Sequence, residues 1–149
     1  QENRLLMPAP VAALTPHFSA EHYWTPSDAP LADPAKLRDL LVEEQIVSIT
    51  PGALGKYWEL IEKHGLPAMT PLQTNMIGTF YTIAGPLHQA YHYWFFDGYD
   101  DRVRRHNAVR ANPEWIKFQE EIRPYTVAQE SKLMVPAPVP EMVPLFRYT

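Results

Sequence analysis

The chain has 149 residues, 46% of them hydrophobic and 20% charged, which is the composition of one globular domain with its own core. Its formal net charge is −4 and it has no long basic run, which argues against a nucleic-acid-binding surface. The chain has no cysteine, so disulfides, thiolate nucleophiles and cysteine-based metal centres are excluded.

The sequence also bears on cellular location. No apolar run approaches the roughly 20 residues that a membrane-spanning helix needs. No basic segment followed by an apolar one indicates a signal peptide, although a processed N-terminus would look the same. We therefore expect a cytoplasmic protein without a membrane span.

The first half of the chain predicts a strand followed by a helix. A proline-rich stretch to residue 34 comes first, then AKLRDLLVEE predicts a short helix start and residues 42–49 predict a strand. A second helix is predicted after Thr50 and Pro51, which suit a helix cap and a first helical position. Its apolar stripe consists of Leu54, Tyr57, Trp58 and Ile61. Gly65 is predicted to end it in the left-handed conformation.

The second half predicts two strands, two helices and a last strand. Residues 74–85 and 88–96 are β-rich, and a helix is predicted over 99–110 with Tyr99, Val103, His106 and Val109 inward. Asn112-Pro113 starts a shorter helix, and residues 125–135 predict the final strand. The order β-α-β-β-α-β predicts an α+β domain of the ferredoxin-like split βαβ type, with a four-stranded antiparallel sheet and helices on one face.

The two ends of the chain repeat one phrase. Residues 1–18, QENRLLMPAPVAALTPHF, match residues 129–146, QESKLMVPAPVPEMVPLF, at nine of eighteen positions. The offset of 128 residues is the size of a whole domain, which indicates a tandem array. We therefore predict that residues 1–35 are the tail of a preceding repeat plus a linker, and that 36–149 form the domain. Residues 1–18 should then act as a last strand beside a sheet that is not built from this chain's own four strands in simple order; a swapped strand is the alternative.

Several segments resemble the NIPSNAP family. TPGALGKYWELIEKHGLP, residues 50–67, is similar to the family signature after its first strand, and residues 78–115 are similar to the remainder. The shared motifs are G-P-L-x-Q, H-x-W, D-x-x-x-D-R and N/D-P-E-W, and QESKLMVPAP resembles the closing strand. The family's first strand is close to Y-E-L-R-T-Y, whereas residues 42–47 are VEEQIV, which keep the acid at Glu43 and lack the arginine and the tyrosines.

The resemblance implies a dimeric α+β barrel of ferredoxin-like domains, often in tandem pairs. A homo-oligomer, or pairing with a first domain outside this chain, is therefore expected. The resemblance implies no single reaction: members are described as interaction proteins of mitochondria and vesicle traffic. The wider barrel superfamily includes cofactor-independent monooxygenases and small-molecule isomerases, whose ligand lies between sheet and helices.

His92 is the candidate catalytic residue, because histidine is a general acid or base and this one lies among aromatic residues on a strand. The alternative is a buried histidine that only holds the core together. The candidate substrate-binding residues are Tyr57, Trp58, Phe80, Tyr81 and Trp94, which could line an apolar pocket or simply be core. Glu130 and Arg102 are predicted to form a structural ion pair between sheet and helix.

No metal or cofactor is predicted. His88 and His92 would lie about 13 Å apart along a strand, too far to share one ion. The sequence contains no G-x-S-x-G, Walker or Rossmann motif.

Two functions stay open, and with them whether the protein is an enzyme. The absence of a charged catalytic pair favours an assembly or interaction module. The alternative is a cofactor-independent enzyme of monooxygenase or isomerase type, with an aromatic pocket around His92 for a small apolar or aromatic ligand. An unliganded, fully packed sheet–helix interface would favour the module. A pocket that keeps a ligand through purification, and loses it in His92→Ala with the fold intact, would favour the enzyme or binder.

Overall fold

The computed structural model describes residues 3–17, 36 and 38–137. Within these ranges the chain forms one five-stranded antiparallel sheet with helices packed on it. Most of the predicted linker, residues 18–35, and the proline-rich tail, residues 138–149, lie outside the described residues.

The strands are β1 (Leu5–Pro8), β2 (Leu41–Ile49), β3 (Met76–Ala84), β4 (Gln89–Phe96) and β5 (Thr126–Met134). The helices are α1 (Leu54–Leu60), α2 (Leu66–Ala68), α3 (Thr70–Gln73), α4 (Tyr99–Arg110) and α5 (Pro113–Ile122). A π-helical turn, Ile61–Gly65, joins α1 to α2, and 3-10 turns lie at Ala12–Leu14 and Arg123–Tyr125. The sheet order is β1-β3-β4-β2-β5.

The α+β, ferredoxin-like prediction is confirmed by strands β2 to β5. Both neighbours of β2 are antiparallel to it: β4 lies on one side and β5, the last strand in sequence, lies on the other. Two helical segments connect β2 to β3 and β4 to β5, as the split βαβ order requires. None of the helices in the described ranges is long and apolar enough to cross a membrane.

The N-terminal segment forms a fifth strand that the four-stranded prediction did not include. Leu5–Pro8 pairs antiparallel with β3, and the amide of Ala9 continues the ladder by donating to the carbonyl of Thr79 at 2.9 Å. Beyond the strand, Val11 and Leu14 are buried in the core. The segment forms a strand as predicted, but in the described structure the sheet that it joins is the chain's own.

Local signals failed at the start of two elements. The helix start predicted in AKLRDLLVEE is wrong, because β2 begins at Leu41 and is hydrogen-bonded on both edges, which outweighs local helix propensity. The first long helix begins at Leu54, and Thr50 instead accepts a turn hydrogen bond from the amide of Ala53 through its carbonyl. Tyr99, predicted to face inward, is 60% exposed.

Gly65 does not end a helix. Its φ of −66° is helical, and the chain continues through it from the π-helical turn into α2. A Cβ at this position would lie 2.8 Å from Cγ1 of Ile61 and 3.7 Å from a ring carbon of Phe118. A Cβ at Gly65 would therefore clash with the side chain of Ile61, so glycine is favoured here by close packing within the π-helical turn, and not by a left-handed turn.

The core lies between the helices and one face of the sheet. That face consists of alternate residues of the central strands, with Val47 and Ile49 on β2 and Ala90, Trp94 and Phe96 on β4. The helices contribute Tyr57, Trp58, Leu60, Val109, Phe118 and Ile122 to the same cluster. Packing is not complete across this interface, and the gap in it is the candidate site.

Candidate functional site

A cavity of about 210 Å³ lies between the helix-facing side of the sheet and helices α1 and α5. Apolar and aromatic side chains form most of its inner wall: Tyr57, Ile61, His92, Trp94, Phe118 and Ile122. Sheet–helix interfaces of this kind normally close on themselves, so a void of this size is a local departure from close packing. This cavity is one part of a longer cleft described below. We call it the relay end, after the chain of hydrogen bonds around His92 that lies in its wall.

His92 is held between two hydroxyl groups. Its Nε2 lies 2.6 Å from Oη of Tyr57 on α1, and its Nδ1 lies 2.9 Å from Oγ1 of Thr79 on β3. All three residues are buried, with His92 only 2% exposed. The strand alternation that places His92 on the helix-facing side therefore places it in a buried chain of three polar groups.

The hydrogen bonds of this chain can run in either direction, according to the tautomer of His92. A hydroxyl donates or accepts, and a neutral imidazole donates at one nitrogen and accepts at the other. If Thr79 donates to His92, then His92 donates to Tyr57 and the phenol proton is free for a third group. In the opposite tautomer Tyr57 donates to His92 and its oxygen can accept. Tyr57 can thus offer either a donor or an acceptor to a ligand.

Burial fixes the charge of this chain. Burial lowers the pKa of His92 to about 3 and raises the pKa of Tyr57 above its ordinary value of 10. At neutral pH the imidazole is uncharged and the phenol is protonated. His92 is therefore a hydrogen-bonding group in the resting protein, and a weak base.

Trp94 has an unused hydrogen-bond donor beside this chain. Its ring stacks on His92, with centroids 5.4 Å apart and an interplanar angle of 5°. Its indole nitrogen is buried and has no hydrogen-bond partner among the described residues. A buried donor without an acceptor costs about 1–3 kcal/mol. Trp94 is also one of the residues that line the cavity.

A second cavity, of about 200 Å³, adjoins the first and is polar. The two share four lining residues, Gln45, Trp115, Gln119 and Gln129, so they are neighbouring parts of one cleft. The second cavity is also lined by Glu43, Arg102, His106, Arg110 and Ser131. We call it the charged end. The cleft therefore changes along its length from aromatic to ionic.

Glu43 is the centre of the charged end and is fully buried. Its two oxygens accept hydrogen bonds from Nη2 and Nε of Arg102, at 2.7 and 3.0 Å, and from Nε2 of His106 at 2.7 Å. Burial disfavours the ionised carboxylate, but the hydrogen bonds from His106 and Arg102 outweigh burial and hold the pKa of Glu43 at about 2.

The predicted partner of Arg102 was wrong. Glu130 was expected, but it lies on β5, opposite Ile46 of β2, and is exposed. Its Oε1 lies 3.8 Å from Nζ of Lys132. Ile46 and Glu43 are three positions apart on β2 and so point to opposite faces of the sheet. Only the Glu43 face meets α4, where Arg102 lies.

The structure brings together three of the six predicted site residues. Tyr57, His92 and Trp94 line the relay end. Trp58 and Tyr81 pack edge to face with centroids 6.3 Å apart and are not among the lining residues. Phe80 packs against Tyr93, 5.8 Å away, on the opposite face of the sheet.

The charged end was not predicted, although two sequence patterns could have revealed it. Glu43, Gln45 and the apolar residue Val47 are every second residue of β2, so all three side chains lie on the helix-facing side. Arg102, His106 and Arg110 are spaced by four residues and share one face of α4. No three histidine or acidic side chains converge into a possible metal site within residues 3–17, 36 and 38–137.

Comparison with known proteins gives one consistent family. The NIPSNAP family profile matches residues 42–140. A NIPSNAP-like domain protein from Burkholderia xenovorans is 31% identical, with a TM-score of 0.63, over 67% of this chain and 87% of that one. A NIPSNAP family protein from Agrobacterium tumefaciens is 29% identical, with a TM-score of 0.62, over 66% of this chain and 94% of that one.

A curated relative is longer than this domain. The Protein NipSnap homolog of Dictyostelium discoideum is 28% identical over 86 residues, which is 58% of this chain. The match spans only 38% of the length of that relative. The similarity therefore concerns the domain and leaves most of the longer protein unmatched.

Proposed function

The chain belongs to the NIPSNAP family, and from that premise we propose that its domain binds a small molecule in the cleft between sheet and helices. The observation that carries the proposal is a cavity of about 210 Å³ lined by Tyr57, His92 and Trp94, whose buried indole N–H has no partner among the described residues. An apolar cavity of about 150 Å³ is already large enough for benzene. A planar ring carrying an acceptor atom fits the relay end in both size and chemistry.

Three side chains have distinct roles in this proposal. Trp94 donates a hydrogen bond to the ligand, and Tyr57 donates or accepts according to the tautomer of His92. His92 orients the phenol of Tyr57, because both of its ring nitrogens are already engaged. Any reaction here would rely on neutral hydrogen bonding at a buried group, and not on proton abstraction by His92 at neutral pH.

A titration with 2-naphthol, a planar molecule with one hydroxyl group, tests binding. We expect the indole N–H resonance of Trp94 to shift on addition of 2-naphthol, while that of Trp58, which lies outside the cleft, stays in place. Tyr57→Phe should weaken binding by about three- to tenfold, the effect of one neutral hydrogen bond. Tyr99→Phe, an exposed tyrosine on α4, is the matched control and should change nothing. Equal shifts at Trp58, or no shift at Trp94, would contradict the proposal.

A second function, assembly with another NIPSNAP domain, is favoured by the repeated phrase. Leu5–Pro8 fills the edge of β3, and its counterpart in the repeat, residues 133–136, lies where β5 ends. Val135 in that counterpart is 71% exposed. We propose that residues 133–136 add to the β3 edge of a homologous domain, or of another copy whose own β1 has left that edge, forming a dimeric α+β barrel. Residues 1–35 would then be the tail of a preceding repeat.

Native mass spectrometry tests this assembly. Because β1 already occupies the β3 edge, removal of residues 1–8 should free that edge and convert a monomer into a dimer. Val135→Pro in the truncated chain should restore the monomer, because proline has no backbone donor for the ladder. A truncated chain that stays monomeric would argue against strand addition.

A further inference from the structure

We propose that the ligand of the cleft is a planar organic anion, with its ring at the relay end and a carboxylate bound by Arg110 at the charged end. This inference rests on the proposed binding function and specifies the class of ligand. It is carried by the charge of the cleft, by the state of the two arginines at the charged end and by the position of Trp115.

The cleft is cationic in an acidic protein. The side chains that line its two cavities include three arginines, Arg102, Arg110 and Arg123, and a single carboxylate, Glu43. With the histidines neutral, the formal charge of the lining is therefore +2, whereas the whole chain has −4. A cleft of one sign with low-dielectric walls concentrates ligands of the opposite sign. The charge of the lining thus selects an anion.

Arg110 is the arginine at the charged end whose charge is left uncompensated. Arg102 is neutralised by its two hydrogen bonds to Glu43. Arg110 donates only to the amide oxygen of Asn107, at 3.4 Å, and pairs with no carboxylate among the residues that the structure describes. It lies at the last position of α4. Arginine binds carboxylates through two parallel hydrogen bonds, which suits an organic acid.

Trp115 lies where the two ends of the cleft meet. It lines both cavities and packs against Phe118, with ring centroids 5.2 Å apart. A ring held at the relay end would therefore place its substituent past Trp115 into the charged end. The shared lining there also includes three glutamines, Gln45, Gln119 and Gln129, whose amides can donate and accept. The cleft thus has its aromatic side chains where a ring would lie and its more polar part where a carboxylate would lie.

Calorimetric titration with 2-naphthylacetate and 2-naphthylacetamide tests the inference, because these probes have the same ring and differ in charge. We expect the full chain to bind the acid at least about tenfold more tightly, as for one charge-assisted hydrogen-bonded contact. Arg110→Gln should remove that preference by weakening the acid about tenfold and leaving the amide within about twofold. Arg104→Gln is the matched control, since Arg104 lies on the same helix, is exposed, and pairs with Asp101 outside the cleft.

The outcomes separate this inference from the proposed function. If both probes bind equally and Arg110→Gln changes neither, the cleft binds ligands but the choice of an anion is overturned. If Arg123→Gln abolishes the preference and Arg110→Gln does not, the assignment of the carboxylate to the charged end is overturned. If neither probe binds nor shifts the Trp94 indole resonance, the proposed binding function itself fails.

Discussion

The two ends of the cleft each hold a histidine among aromatic rings, but they treat charge in opposite ways. His92 stacks on one side of the protein's central tryptophan, Trp94, and His106 meets the same ring edge to face, with centroids 6.2 Å apart. The partners of His92 are two neutral hydroxyls, whereas the partner of His106 is the buried carboxylate of Glu43. The same residue type therefore hydrogen-bonds only to neutral groups at one end and to a carboxylate at the other.

The charge of a side chain's hydrogen-bond partners, more than its burial, decides whether it is ionised in this core. Glu43 and His92 are equally inaccessible, at 0% and 2% exposure. Burial leaves His92 neutral because nothing beside it compensates a positive charge. Glu43 stays ionised because Arg102 and His106 surround it with donors. The relay end is thus suited to neutral polar groups, and the charged end to fixed ionic ones.

The largest effect is expected from removing the compensation at the charged end. Arg102→Met would leave Glu43 buried beside His106 alone, and breaking a buried ion pair costs about 3–5 kcal/mol of unfolding free energy. The measurement is denaturant unfolding at pH 7. Arg104→Met, which breaks an exposed pair with Asp101 on the same helix, should cost less than about 1 kcal/mol.

The pH dependence makes this test specific. In the native protein the pKa of Glu43 is about 2, below its unfolded value of 4.5, so its contribution is present above pH 4.5 and is lost as the pH falls toward 2. In Arg102→Met, burial raises the pKa of Glu43. Glu43 is therefore protonated as the pH falls, which removes the buried charge and reduces the stability loss of the variant. The stability difference from wild type should therefore narrow from pH 7 to pH 4. A difference that is constant over this range would show that charge is not the cause.

At the relay end, loss of one hydroxyl should have a smaller effect. Tyr57→Phe leaves Nε2 of His92 buried without a partner, which costs about 1–3 kcal/mol. Thr79→Val removes the partner of the other nitrogen and should cost a similar amount. Because both hydroxyls act through one imidazole, the double variant should differ from the sum of the singles by at least about 0.5 kcal/mol. Strict additivity would mean that the three groups do not act as one chain.

Much of the fold follows from local sequence patterns. The helix predicted from near Tyr99 to about Arg110 is α4, Tyr99–Arg110. Asn112 caps α5 as Asn112-Pro113 suggested, with its side chain accepting from the amide of Glu114. The start of β2 and the role of Gly65 were not predicted. The start of β2 depends on two neighbouring strands that are distant in sequence, whereas the role of Gly65 depends on the side chain of Ile61 in the same turn. Periodicity reports which faces are apolar, and not what packs on them.

The site was predictable only in part for the same reason. Alternation places His92 and Trp94 on one face of β4, and the helical stripe includes Tyr57, but the same stripe includes Trp58, which does not line the cavity. The partner of Arg102 depends on which strand neighbours β5 and on which face of that strand meets α4. Glu130 looked suitable by type, but the register that places it opposite Ile46 is a property of the assembled sheet.

The smallest effect on the free energy of unfolding is expected from the lowered pKa of His92, which stays unprotonated in the folded protein. Its pKa of about 3 in the folded protein lies below its unfolded value of 6.5, so the unfolded chain binds the extra proton between these values. The contribution of His92 to the free energy of unfolding is therefore fully present above pH 6.5. It is lost as the pH falls, and about 1.4 kcal/mol of it is lost at pH 5.5. Unfolding of His92→Asn should start from a lower stability and show a flatter decline between pH 7 and 5.5. In wild type, the ring Cε1–H resonance of His92 should not titrate over that range; a midpoint near 6.5 would mean that the relay end tolerates charge and that its contrast with the charged end fails.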